Sequence, residues 1–167
     1  MRKSRKAYRE AGGSPPYFTV RMISIDISDI ALRTKQEQGK TRVHDPVRRK
    51  WLVLTKEEYV RQVFLQYLIK QNYPLAMMAV EKAIWVGDRK KRFDIVVFDR
   101  AHQPWKLVEC KEPDTDIRQD TFFQLLQYQR ALQTCYWVLT NGHQTCCADA
   151  TDLEKLQWME ELPPYKG

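Results

Sequence analysis

With 167 residues, 43% hydrophobic and 11% aromatic, the chain is long enough for one domain with a proper core, short for two, and too apolar to be disordered throughout. Its formal charge of +7 favours a polyanionic partner, yet residues 1–10 alone carry +4 of it, so charge by itself makes nucleic acid plausible and no more. No apolar run approaches the ~18–20 residues of a membrane span, and no apolar stretch follows the basic N-terminus as in a secretory signal. The expected setting is the cytoplasm, with no membrane partner. The four cysteines, Cys110, Cys135, Cys146 and Cys147, show no CxxC spacing and no histidine at zinc-site spacing. They read as free thiols in a reducing compartment.

Residues 1–17 are basic and end in Gly-Gly-Ser-Pro-Pro, the signature of a flexible tail. Residues 18–160 are expected to form the domain, and 161–167 a C-terminal tail. The β-branched stretch Phe18–Ile30 predicts an entering strand. Residues 33–50 are charged and broken by Gly39 and Pro46, which predicts loop with a short hairpin. After the apolar run Trp51–Leu54, Thr55-Lys-Glu-Glu58 fits a capping box opening a helix over about 56–71. Val60, Val63, Phe64, Tyr67 and Leu68 share one face of that helix. On a helical wheel Glu57 falls at the edge of this face, while Glu58 points well away. Met78–Val86 predicts a strand, or a helix end followed by one, then a tight turn at Gly87-Asp88 and a basic approach, Arg89–Arg92. Residues 93–98 and 105–111 read as the strands of a hairpin. A helix over about 117–133 follows, then a strand at 136–140, the turn dipeptide Asn141-Gly142, and a last strand at 145–148. A short helix is expected after Asp152. The three histidines sit in expected loops, and the five tryptophans read mostly as core. The order predicts an α/β domain, a central mixed β-sheet with helices on both faces.

The chemistry gathers between Arg92 and Tyr128. Glu109 and Lys111 lie two apart on a strand, so their side chains leave one face, opposite Val108 and Cys110. An antiparallel partner strand would bring Asp94 to the same end. Two carboxylates converging there can hold Mg²⁺, a hard ion that prefers oxygen. A lysine beside them can orient a water and offset charge on a phosphate. A plain salt bridge of Lys111 with Glu109 or Asp94 is the competing structural reading.

The pattern R-F-D94, E109-C-K111 and Q124-x-x-x-Y128 resembles the PD-(D/E)xK nuclease superfamily, and most of all the N-terminal nuclease domain of type I restriction enzyme R subunits. The likeness covers about residues 47–142. It includes L-T-K-E57-E-Y-V-R-Q, V-E81-K, D-I-V-V-F-D and the L-T-N-G turn. The resemblance implies a restriction-endonuclease-like core and Mg²⁺-dependent hydrolysis of DNA phosphodiesters, with Mn²⁺ able to substitute. Asp94 and Glu109 would be metal ligands, joined by the backbone carbonyl of Cys110 and by Glu57 from the first helix. Lys111 would be the catalytic lysine, and Gln124 and Tyr128 would support the site and contact DNA. Phe93 stands where the superfamily often has proline, a position that varies. Other subunits of a nuclease or restriction complex are implied as partners beside DNA. The chain contains no G-x-x-x-x-G-K-[S/T] motor loop. A non-catalytic nucleic-acid-binding or assembly module with the same fold is therefore the alternative.

Overall fold

The computed structural model describes residues 20–117 and 119–165. The basic tail expected at 1–17 lies outside them. The chain runs β1 (Met22–Ile23), β2 (Thr34–Glu37), β3 (Lys40–Asp45), β4 (Lys50–Val53), α1 (Lys56–Lys70), a 3-10 turn (Leu75–Met77), β5 (Met78–Val80), β6 (Ala83–Val86) and β7 (Arg89–Arg92). It continues through β8 (Ile95–Phe98), β9 (Pro104–Cys110), α2 (Gln119–Leu132), β10 (Tyr136–Thr140), β11 (Thr145–Asp149) and β12 (Gln157–Trp158). The central sheet has the order β1-β11-β10-β9-β8-β5, with β12 also on β11. Its β9–β10 pair is parallel and its other pairs antiparallel, which makes it mixed.

The sheet is covered on both faces, which is why β8 reads as an unbroken apolar run. Val60, Phe64, Leu65 and Leu68 of α1 pack on Ile95, Val97, Val108, Cys110 and Cys147. Phe122, Leu125 and Tyr128 of α2 pack on the opposite face, against Val96, Leu107, Trp137, Leu139 and Cys146. Cys146 and Cys147 thus face opposite layers, and all four cysteines are free. The architecture is the expected one, a central mixed sheet between helices.

Two smaller sheets surround it. β2-β3-β4 form a three-stranded antiparallel sheet where the sequence suggested loop and one short hairpin. Its strands are rich in charge and half-exposed, so hydrophobic alternation is weak there. His44 accordingly lies in β3, stacked edge-on against Trp51, and not in a loop. The other small sheet is the β6–β7 hairpin, so Arg89–Arg92 is a strand. Its pairing continues that of β5–β8 without a slip, since Val80 faces Ile95 and Ala83 faces Arg92. The two strand pairs are one long ribbon, bent where Glu81 takes φ +54. Gly87 (φ +62) begins its two-residue turn, the position where a left-handed backbone favours glycine.

Three further expectations change. Of Phe18–Ile30, only Met22–Ile23 pairs as a strand among the described residues, because β11 offers a partner over just two positions. The helix expected after Asp152 is a set of turns leading into β12. Of the expected C-terminal tail, Leu162 and Tyr165 pack on the core, and the Pro163 carbonyl accepts hydrogen bonds from Tyr73 and from Lys106 Nζ (2.9 Å).

Candidate active site

The β8–β9 hairpin brings the predicted carboxylates together. Ile95 pairs with Val108, so Asp94, just ahead of β8, lies beside the C-terminal end of β9. Its Oδ2 accepts the Cys110 backbone N–H at 2.7 Å, replacing a ladder bond that the strand end lacks. Lys111 follows β9 directly, and its N–H donates to the Thr140 carbonyl of β10 (2.8 Å), which fixes the chain on leaving the sheet. Lys111 Nζ lies 2.8 Å from Glu109 Oε1 and 2.7 Å from Gln124 Oε1, a residue of α2. The salt bridge weighed as the alternative from sequence is therefore present, inside the predicted cluster. Tyr128, one turn beyond Gln124, donates its hydroxyl to the Arg92 carbonyl (2.6 Å) and so ties α2 to the ribbon.

The electrostatics are set by burial. Glu109 is 5% exposed, and burial first, then the nearby Asp94 charge, pushes its carboxyl up to about 7; Lys111 pulls the other way. Burial likewise raises the Tyr128 hydroxyl to about 12. Tyr128 therefore acts at neutral pH as a hydrogen-bond donor.

The residue that sequence reasoning missed is Arg61, in the middle of α1 and 4% exposed. Its Nε and Nη2 donate to Asp94 Oδ1 (3.1 and 2.6 Å), and Nη2 also meets Glu57 Oε1 (2.6 Å) and Glu81 Oε1 (3.3 Å). Nη1 donates to Glu58 Oε2. Burial works against the guanidinium charge, but Asp94, Glu58 and Glu81 outweigh it and leave its pKa raised. Glu81 is raised by burial, against the pull of Arg61 and Arg92. Arg92 Nε reaches Glu81 Oε2 at 2.8 Å. A signal was available: on a wheel of ~100° per residue Arg61 falls about 20° from Leu68, beside the apolar stripe.

Glu58 corrects the wheel reading. It is 7% exposed and bonded to Arg48, Arg61 and Gln62, whereas the Glu57 side chain is 45% exposed. The reason is long-range: Arg48, from the turn between β3 and β4, folds over this flank of α1 with Asp45 beneath it. Of the capping box, Thr55 Oγ1 accepts the Glu58 N–H (3.1 Å), while the Glu58 side chain is engaged elsewhere. Alongside lies a cleft of about 400 Å³ whose walls include Arg48, Thr55, Glu57, Arg61 and Arg92.

The donor set at the end of β9 consists of carboxylate and backbone oxygens, which suits a hard divalent cation such as Mg²⁺. Two buried carboxylates, Glu109 raised by burial and then by the Asp94 charge, fit that chemistry. Among the described residues no group of three or more His, Cys, Asp or Glu is arranged around a metal position. A bound ion would thus depend on Asp94, Glu109, backbone oxygen and water.

The fold and this cluster define an α/β domain of the restriction-endonuclease-like class. Residues 56–163 match the family model for the type I restriction enzyme R protein N terminus, and the chain belongs to that family. No curated protein matches it. Among solved structures, it superposes on a fragment provisionally described as the HsdR subunit of a type I restriction enzyme from Vibrio vulnificus YJ016. There the identity is 18% and the TM-score 0.49, over 66% of this chain and 24% of that one. This chain therefore spans about a quarter of that fragment. A second similar structure, from Anabaena variabilis ATCC 29413, is provisionally described as a nuclease: 13% identity, TM-score 0.44, 77% of this chain and 76% of that one. No helix among the described residues is long and apolar enough to cross a membrane.

Proposed function

We propose that the protein is a Mg²⁺-dependent deoxyribonuclease that hydrolyses backbone phosphodiesters at the end of β9. The observation that carries this reading is the clamp on Lys111, whose Nζ is held between Glu109 and Gln124 beside the Asp94–Cys110 contact. Asp94, Glu109 and the Cys110 carbonyl would hold the ion, with Glu57 at the edge. Mn²⁺ should substitute, having the same preference for oxygen. When bound, the metal would stabilise negative charge on the phosphate and make a bound water more acidic. Lys111 Nζ would orient the attacking water and offset phosphate charge. Gln124 keeps Nζ from swinging out, and Tyr128 fixes the backbone leading into Asp94. Family membership supports DNA as the polymer, other subunits of a restriction-type complex as partners, and the cytoplasm as the setting.

The test is nicking of supercoiled plasmid in Mg²⁺ by wild type, Glu109→Ala and Lys111→Ala, with folding checked by circular dichroism. Both variants should lose activity by at least ~10²-fold, the scale on which positioned charge acts. Cleavage by both at the wild-type rate would remove Glu109 and Lys111 from the mechanism. The non-catalytic alternative is favoured by one feature: Arg61 already neutralises Asp94. Salt-dependent DNA binding with neither cleavage nor calorimetric Mn²⁺ binding would establish it.

A further inference from the structure

The β6–β7 end of the long ribbon has two unlike faces. Ile84 and Val86 turn inward and pack against the α2 layer, and Lys91, paired with Ile84, bonds Gln127 of α2. By the alternation of a strand, the outer face carries Ala83 and Trp85 opposite Arg92 and Lys90. Trp85 is 66% exposed, the most exposed large hydrophobic side chain among the described residues. The sequence reading placed tryptophans mostly in the core; this one stands on a solvent face. Its direct partner is Lys90, and Arg92 lies two pairs nearer the site, on the same face.

The ribbon links that face to the candidate site. Arg92 bonds Glu81, Glu81 shares Arg61 with Asp94, and the Glu81 N–H donates to the Asp94 carbonyl (2.9 Å). Two strand residues, ~7 Å, separate the Arg92 pair from the Trp85 pair. A flat aromatic face flanked by cations, a short step from a phosphate-cleaving site, is the combination that binds single strands: bases stack and phosphates meet Lys or Arg. Bases within a duplex are already stacked and offer no free face. Charge complementarity favours a polyanion, since the β7 strand holds Arg89, Lys90, Lys91 and Arg92 in succession.

We infer that the β6–β7 hairpin is a single-strand-binding element, with Trp85 stacking on an unpaired base and Lys90 contacting the adjoining phosphate. The site would thus engage single-stranded or locally opened nucleic acid. This deepens the nuclease reading and rests on it for the role of the site, but not for the binding itself.

Binding is measured by fluorescence anisotropy in EDTA, so that no cleavage occurs. The probes are a mixed-sequence single-stranded DNA, the same sequence as RNA, and a blunt DNA duplex. Trp85→Ala should weaken single-strand binding on the order of 5- to 150-fold while duplex binding changes little. Trp85→Phe, which keeps a stacking face, should restore most of the loss. Lys90→Ala should reduce the salt-dependence slope on single strands by about 0.7. The DNA and RNA arms decide which sugar is preferred. Unchanged single-strand binding by Trp85→Ala, or equal losses on single strand and duplex, would overturn the inference. So would sedimentation showing that Trp85→Ala separates a self-associated wild type, since a second copy would then cover the tryptophan. Because these readouts need no metal, failure of cleavage in Mg²⁺ would count against the nuclease reading and leave the hairpin result standing.

Discussion

Arg61 is the residue on which the electrostatics of the site depend. One guanidinium serves Asp94, Glu57, Glu58 and Glu81, all within 3.3 Å. Removing one partner of a buried ion cluster costs about 3–5 kcal/mol, because the charges left behind remain buried. Arg61→Met should destabilise the protein on that scale. If the carboxylates form a cation site, Mg²⁺ or Mn²⁺ should raise the melting temperature of the variant more than that of the wild type, by the linkage of binding to folding. Equal shifts, read by differential scanning calorimetry, would show that no cation replaces the arginine. The residue scale also shows how far the sequence was legible. Asp94, Glu109 and Lys111 could be read because a hairpin and a two-residue strand repeat bring them together, and both are local rules. The burial of Glu58 could not, because Arg48 arrives from a separate sheet and covers a flank that the wheel assigns to solvent.

Among the elements, α1 has the plainest local signal and a cap that can be tested. Thr55 Oγ1 accepts the Glu58 N–H, so Thr55→Ala should cost about 1 kcal/mol in urea denaturation, with the slope unchanged. Thr55→Ser should keep most of that stability. Elements bounded by turn chemistry were legible: Gly87-Asp88 closes the ribbon, and Asn141 Oδ1 accepts the N–H groups of His143 and Gln144 in the loop between β10 and β11. β2 and β3 were not, since their partly exposed strands carry charge where an alternating apolar pattern would announce them. The continuity of β5–β8 with β6–β7 was hidden for another reason. The backbone bend at Glu81 leaves no trace in side-chain pattern, and a non-glycine residue with positive φ is not predictable from composition.

At the scale of the whole molecule, the C-terminal segment is fastened to the sheet through a buried lysine. Lys106 is fully buried, donates to Tyr73 Oη (2.5 Å) and the Pro163 carbonyl, and lies under the faces of Trp105, Tyr73 and Tyr136 at 4.6–5.8 Å. Burial lowers its pKa to about 7, with the nearby Cys147 thiol pulling the other way, and the ring faces also favour the ammonium. A lysine with a folded pKa below its unfolded value binds fewer protons when folded. Between about 7 and the ordinary 10.5 its contribution therefore becomes less unfavourable as pH rises; below 7 the cost is fully present. The stability of wild type minus that of Lys106→Met should accordingly increase over this window, read most cleanly below about 8.5, where thiols of the unfolded chain are still protonated. A flat difference would mean that the aromatic faces hold the ammonium charged throughout. The same fastening has a practical side. Lys106 and Glu109 are three residues apart on β9, so Pro163 is anchored ~10 Å along the strand from the carboxylates. A fluorophore or affinity handle placed on the exposed surface beside Pro163 would thus sit at the far end of β9 from the carboxylates, so labelling there should leave plasmid nicking at the unlabelled rate.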